Sequence, residues 1–73
     1  MTTYTVHAGD NSTDLGMVGR CKTRAEARQL GRKQVDRCLP GGCGTYTIRD
    51  AEGQDVERGE RTLRTGYRWT VAS

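Results

Sequence analysis

The chain has no phenylalanine and only one tryptophan, one proline and one histidine among its 73 residues. Hydrophobic residues make up 33% of it, and no apolar run approaches the length of a membrane-spanning helix. The N-terminal stretch also lacks the apolar region of a signal peptide. Because a chain this short buries only roughly 60% of its unfolded surface, we expect one domain of modest stability over residues 1–73. We further expect a cytoplasmic protein without membrane contact, either a monomer or a weak homodimer.

The sequence also lacks a recognisable zinc pattern. Zinc knuckles usually place pairs of ligands about two to four residues apart, and only Cys38 and Cys43 come near that spacing. The remaining candidate ligands are Cys21 and His7. We therefore predict no metal and no cofactor. The spacing of Cys38 and Cys43 would permit a disulfide, but a reducing cytoplasm disfavours it.

No catalytic constellation is evident either. His7 lies near Asp10 and Ser12 in sequence, and these residue types could support acyl chemistry, but nothing fixes them in place. The glycines at positions 41, 42 and 44 follow a helical pattern and precede a strand. A phosphate-binding loop needs the opposite order, with the helix N-terminus facing the anion. The sequence therefore predicts a protein that is not an enzyme.

One helix is well signalled. Thr23 followed by Glu26 forms a capping box, and apolar or small residues then recur at three- and four-residue spacing up to Cys38. Pro40 and Gly41 should end the helix, because proline disfavours helical geometry in the residue before it and glycine tolerates left-handed geometry. The helix should therefore pack one narrow apolar face, including Cys38, on something else.

The rest of the chain alternates as strands do. We predict strands over residues 3–8, 15–21, 45–50, 54–58 and 67–72, with turn formers in residues 9–14. The order β-β-α-β-β-β indicates an α+β fold, with an antiparallel sheet of about four to five strands and the helix on one face. The other face should be polar, with threonines, His7 and Arg49. The expected core residues are Tyr4, Val6, Leu15, Met17, Leu30, Val35, Tyr46, Ile48, Trp69 and Val71.

Positive charge is concentrated near the helix. Residues 20–37 hold seven bases and two acids, residues 1–19 hold two acids and no base, and residues 38–73 hold five of each. Arg24, Arg28 and Arg32 are spaced four apart and should form one exposed line. Such a line could bind nucleic-acid phosphate or an acidic or nucleic-acid-binding protein. It could equally be an ordinary solvated helix face.

Three segments together resemble a known family. They are TRAEARQLGRKQVDRCL (residues 23–39), GGCGTYTIRDAEG (residues 41–53) and GYRWTV (residues 66–71). The combination is similar to small phage-encoded anti-CRISPR proteins that act on type I (Cascade-type) systems. In that family a helix ends in a cysteine followed by a bulky apolar residue, a Gly-Thr pair opens a strand, and a Gly-x-Arg-Trp strand closes the chain. This chain has Leu39 where an aromatic residue is expected, and Arg37 where a neutral polar residue is expected.

The resemblance implies a non-catalytic inhibitor. Such a protein binds the crRNA-bound backbone subunits of the surveillance complex in the bacterial host cytoplasm and blocks target DNA binding. Carried over to this chain, the partner-binding residues are Arg37, Leu39 and Arg68. The arginine line adds Arg24, Arg28 and Arg32, with possible non-specific nucleic-acid contact. The alternatives are a small basic phage or plasmid DNA- or RNA-binding module, and a structural subunit that pairs through an exposed sheet edge.

Overall fold

The computed structural model describes residues 3–10 and 14–72 and has the predicted element order. Strands β1 (Tyr4–Gly9) and β2 (Asp14–Cys21) precede helix α1 (Arg24–Cys38). A short 3₁₀ turn (Pro40–Gly42) leads into β3 (Gly44–Arg49), which is followed by β4 (Asp55–Arg61) and β5 (Thr70–Ala72). All neighbouring strands are antiparallel, in the spatial order β2-β1-β3-β4-β5. The α+β prediction is therefore confirmed.

The helix begins and ends as its sequence signals indicate. The Thr23 hydroxyl accepts a hydrogen bond from the Glu26 backbone N–H at 3.1 Å, which satisfies one of the orphan donors of the first turn. Leu39 leaves the helix in an extended conformation, as expected of a residue before proline, while Gly41 takes a φ of 66°. The chain is thereby turned back to begin β3 beside β1.

The core lies between α1 and the middle of the sheet. Ala27, Gly31 and Val35 form the buried line of the helix, against Tyr46 and other residues of β1 and β3. A side chain at Gly31 would bring a Cβ within 2.7 Å of the Tyr46 Cβ, so glycine permits this close approach. The prediction that Cys38 belongs to the apolar face is wrong, because the thiol lies exposed at the last turn.

Bulges in β2 decide which of its residues enter the core. Two irregularities in the pairing with β1 leave Val18 and Leu15 as extra residues, and both pack against the core. Met17 instead lies opposite His7 on the uncovered face and is exposed. Its expected place in the core is wrong because strict alternation breaks at each bulge.

The C-terminal strand is shorter than predicted and less covered. It begins at Thr70 rather than at residue 67, and Tyr67 lies outside it with a φ of 61°. Trp69 is half-buried and packs against both halves of the core, as expected. Val71 was also expected in the core, but it is 45% exposed because the helix packs over β1, β2 and β3.

Candidate interaction surface

The arginine line of α1 lies on the β4 side of the helix, where its half-exposed side chains contact the protein's own sheet. Glu57 of β4 is only 2% exposed. Its carboxylate accepts two hydrogen bonds from Arg28, at 2.8 Å from Nε and 2.7 Å from Nη2. Arg24 donates to the Val56 carbonyl at 3.0 Å and lies 3.4 Å from Glu57 Oε1. Two of the three predicted contact arginines thus bind the protein's own sheet.

The buried carboxylate is held in its charged form. The hydrogen bonds from Arg28 lower the pKa of Glu57 to about 2, against the opposing effect of burial, and the hydroxyl of Tyr46 donates a further bond at 2.8 Å. Burial and the bond to Glu57 in turn raise the pKa of Tyr46. The pair with Glu57 raises the pKa of Arg28. This network joins the helix to β3 and β4.

The third arginine of the line contacts an aromatic ring. The guanidinium carbon of Arg32 lies 5.3 Å from the centre of the Trp69 ring, and that of Arg61 lies 4.8 Å from it. Tyr46 contacts the same indole, with ring centres 5.4 Å apart. The expectation that Arg24, Arg28 and Arg32 form one exposed line therefore holds for Arg24, but Arg28 and Arg32 are only half-exposed. The three arginines lie beside the buried residues of the helix. On that side, β4 supplies the Glu57 carboxylate and Trp69 supplies an aromatic ring.

Leu39 is also misplaced by the sequence prediction. It is 5% exposed and packs in one cluster with Ala8 and Val35. Its neighbour in sequence, Arg37, lies exposed at the helix end. Leu39 therefore belongs to the core, because the extended residue at the helix exit turns back under the last turn.

The helix exit and the GYRWTV segment meet at Arg61. The Arg61 side chain donates to the Gly42 carbonyl at 2.6 Å and forms an ion pair with Asp36. The same guanidinium stacks on Trp69. Asp36 and Trp69 both contact Arg61. Arg37 is next to Asp36 in sequence and Arg68 is next to Trp69, and both arginines are exposed. Of the six predicted site residues, Arg24, Arg37 and Arg68 are exposed, and Arg37 and Arg68 each adjoin a residue that contacts Arg61.

The turn between β4 and β5 exposes two large hydrophobic side chains, which the sequence prediction missed. Leu63 is 75% exposed and Tyr67 is 57% exposed. The turn is closed by hydrogen bonds from the Tyr67 N–H to the Thr62 carbonyl at 2.9 Å and from the Thr62 N–H to the Thr65 hydroxyl at 2.9 Å. A bulky residue at positive φ is uncommon and occurs where surrounding structure imposes it. An apolar residue between arginines in RTLRTGYR was the available signal.

The other chemical candidates do not assemble into a site. His7, Asp10, Asp14 and Thr47 border a cleft of about 300 Å³ on the uncovered sheet face. Ser12 lies outside the described residues. Within residues 3–10 and 14–72, no group of three or more His, Cys, Asp or Glu side chains is arranged to hold a metal ion. The three cysteines are thiols, and burial raises the pKa of Cys21.

The fold and these contacts define a small α+β domain whose helix is joined to its sheet by arginines. Comparison with family models, with curated proteins and with solved structures found no match to the chain. No helix in the described part of the chain is long and apolar enough to cross a membrane.

Proposed function

We propose that this chain is a non-catalytic inhibitor that binds a type I CRISPR surveillance complex in the bacterial host cytoplasm and stops it from binding target DNA. The observation that carries the proposal is the meeting of the helix exit and the GYRWTV segment at Arg61. These are the two segments to which the family resemblance assigns partner contacts. Arg37 and Arg68 are exposed there, on a framework fixed by stacking and ion pairing.

The charge of the chain indicates how such inhibition would work. A mimic of DNA presents a surface rich in carboxylates, whereas this chain has a formal net charge of +3. Inhibition would therefore arise from occupying the protein subunits, with arginines directed at acidic or apolar groups of the complex. Arginine next to an exposed aromatic residue such as Tyr67 is a composition enriched in interface hot spots.

The test is a target-DNA gel shift with purified type I complexes of several subtypes, run with and without the protein. We expect the protein to bind at least one complex and to prevent its loading of duplex DNA. The Arg37→Glu, Arg68→Glu double variant should lose at least ~1 kcal/mol of binding free energy. Normal DNA loading with every complex would refute the proposal.

A matched control uses the far edge of the sheet. Arg20 and Lys22 are exposed at the end of β2, the edge strand opposite β5, so Arg20→Glu, Lys22→Glu makes the same change in net charge at another place. This control should inhibit like the wild type. If both double variants lose binding equally, overall charge rather than the Arg37–Arg68 surface is responsible.

The second candidate is direct binding of nucleic acid. It is favoured by an arginine excess in residues 58–72, which hold four arginines and one glutamate. Binding to naked duplex DNA that weakens steeply with added salt, in the absence of any surveillance complex, would support this reading because each neutralised phosphate releases counterions.

A further inference from the structure

Strand β5 leaves an open edge at one side of the sheet. Thr70, Val71 and Ala72 are all exposed, and β5 pairs with β4 alone among the described residues. The strand is only three residues long, but it contains no charged residue, no proline and no bulge, which are three of the common protections of an edge. The opposite edge, β2, is interrupted by two bulges and carries Arg20. Only the β5 edge therefore has the features that permit another strand to be added.

The register of β4 and β5 assigns a different character to each face of this edge. Val71 lies opposite Gly59, where an added Cβ would meet the Tyr46 ring, so Val71 points to the helix-bearing face. Thr70 and Ala72 lie on the other face, opposite Glu60 and Arg58 respectively. At this edge, Val71 thus gives the helix-bearing face an exposed apolar side chain, whereas the other face is polar.

The polar face beside β5 is positively charged. A groove of about 400 Å³ follows the edge and is lined by Arg58, Glu60, Arg64, Thr70, Val71 and Ala72. Arg64 forms an ion pair with Glu60, so Arg58 remains as the uncompensated charge of the groove. Arg61 is paired with Asp36 from the helix, so it adds no free charge here; the groove itself holds two arginines and one glutamate, an excess of one positive charge.

We propose that the β5 edge binds an extended segment of a partner protein as a sixth strand, and that this segment alternates acidic and apolar residues. Alternation follows from the period of a strand, because the residue opposite Val71 points to the apolar face and its neighbours point towards Arg58. Backbone groups of the edge supply hydrogen bonds, and the two faces supply the sequence preference. The inference goes beyond the proposed inhibition and does not require the partner to belong to a CRISPR complex.

The charge distribution argues against two other occupants. A second copy of this chain would pair through its own β5, whose Thr70, Val71 and Ala72 supply no carboxylate for Arg58. Single-stranded nucleic acid matches the charge but cannot extend the strand's backbone hydrogen bonds, and the exposed valine offers it no stacking platform. An acidic, apolar peptide satisfies both the charge and the edge.

The test measures binding of a fluorescent, end-capped peptide of alternating glutamate and valine by anisotropy. We expect saturable binding that is at least ~10-fold tighter than that of the matched lysine–valine peptide. Arg58→Glu should weaken binding of the glutamate–valine peptide and strengthen binding of the lysine–valine peptide. Arg20→Glu at the far edge should change the binding of neither peptide. Absence of binding, or equal binding of both peptides, would overturn the proposal.

Two further probes separate strand addition from simple charge attraction. Methylating the backbone nitrogens of the valines, or those of the glutamates, blocks one or the other edge of the peptide strand. One methylated peptide should lose binding and the other should keep it; retention by both would overturn strand addition. If a single-stranded oligonucleotide bound more tightly and displaced the peptide, the β5 edge would be a nucleic-acid site and the proposal of a peptide partner would be overturned. No surveillance complex is present in this assay, so its result is independent of the gel shift.

Discussion

Glu57→Gln removes the charge at the centre of the helix–sheet network while keeping the shape of the side chain. The Arg28 guanidinium, which donates two hydrogen bonds to this carboxylate, would then lack its counter-charge. The pKa of Glu57 falls from 4.5 to about 2 on folding, a difference of about 2.5 pH units, which corresponds to about 3 kcal/mol of stability at neutral pH. Because the Arg28 side chain is 40% exposed, we expect the cost to lie at the lower end of the range of about 3–5 kcal/mol that is typical when a buried ion pair loses one partner.

The pH dependence follows from the direction of the pKa change. Because the folded-state pKa is the lower one, the stabilisation is fully present above pH 4.5 and is lost as the pH falls towards 2. Wild-type protein should therefore lose about 2 kcal/mol from this group by pH 3. The Glu57→Gln variant should lack this part of the decline and should be less stable than wild type at pH 7.

The measurement is urea unfolding followed by circular dichroism at pH 7 and at pH 3. Glu52→Gln is the matched control, because Glu52 is exposed in the turn between β3 and β4. The control should stay within about 0.5 kcal/mol of wild type. If Glu57→Gln behaved like this control at pH 7, the network would not stabilise the fold and the reasoning would be refuted.

Three further predictions concern packing, backbone geometry and metal. Gly31→Ala should cost about 1–3 kcal/mol in urea unfolding because its Cβ would lie 2.7 Å from the Cβ of Tyr46; an unchanged midpoint would mean that the helix can shift away at little cost. Tyr67→Gly should leave stability unchanged or raise it by up to about 1 kcal/mol, since glycine accepts a φ of 61° readily, and a clear loss would show that packing holds the ring. A metal chelator should leave the melting temperature unchanged; one bound zinc ion per chain by elemental analysis would contradict this.

The helix and the order of the elements along the chain could be predicted because their signals are local. Thr23, Glu26 and Pro40 act on the backbone within a few residues, so their effects do not depend on the rest of the fold. The bulges in β2 could not be read in the same way. Leu15 packs against the core as predicted, but Val18 enters the core and Met17 leaves it because the pairing with β1 slips, and the slip depends on two strands together.

The direction of the arginine line is a long-range property that the sequence pattern alone did not fix. Arg28 and Glu57 are 29 positions apart, and no periodicity within the helix indicates that a carboxylate will lie beneath it. The sequence pattern also did not indicate which strands the helix would pack over. Val71 alternates like a core residue, but the helix packs over β1, β2 and β3 and leaves it exposed.

The same ion pairs change where a binding surface should be sought. Counted along the chain, the positive excess falls on residues 20–37, which hold seven bases and two acids. In the fold, Glu57 is held by Arg24 and Arg28, so part of that excess is matched by an acid from β4. Replacing the helix arginines with glutamate would place new carboxylates beside the buried one and destabilise the fold, so the experiment would report on folding as well as on binding. Substitutions at Arg58 and Arg68 avoid this difficulty because both are exposed on the β4–β5 side of the molecule. A loss of binding in those variants, with unfolding unchanged, would locate the partner at the edge of the sheet.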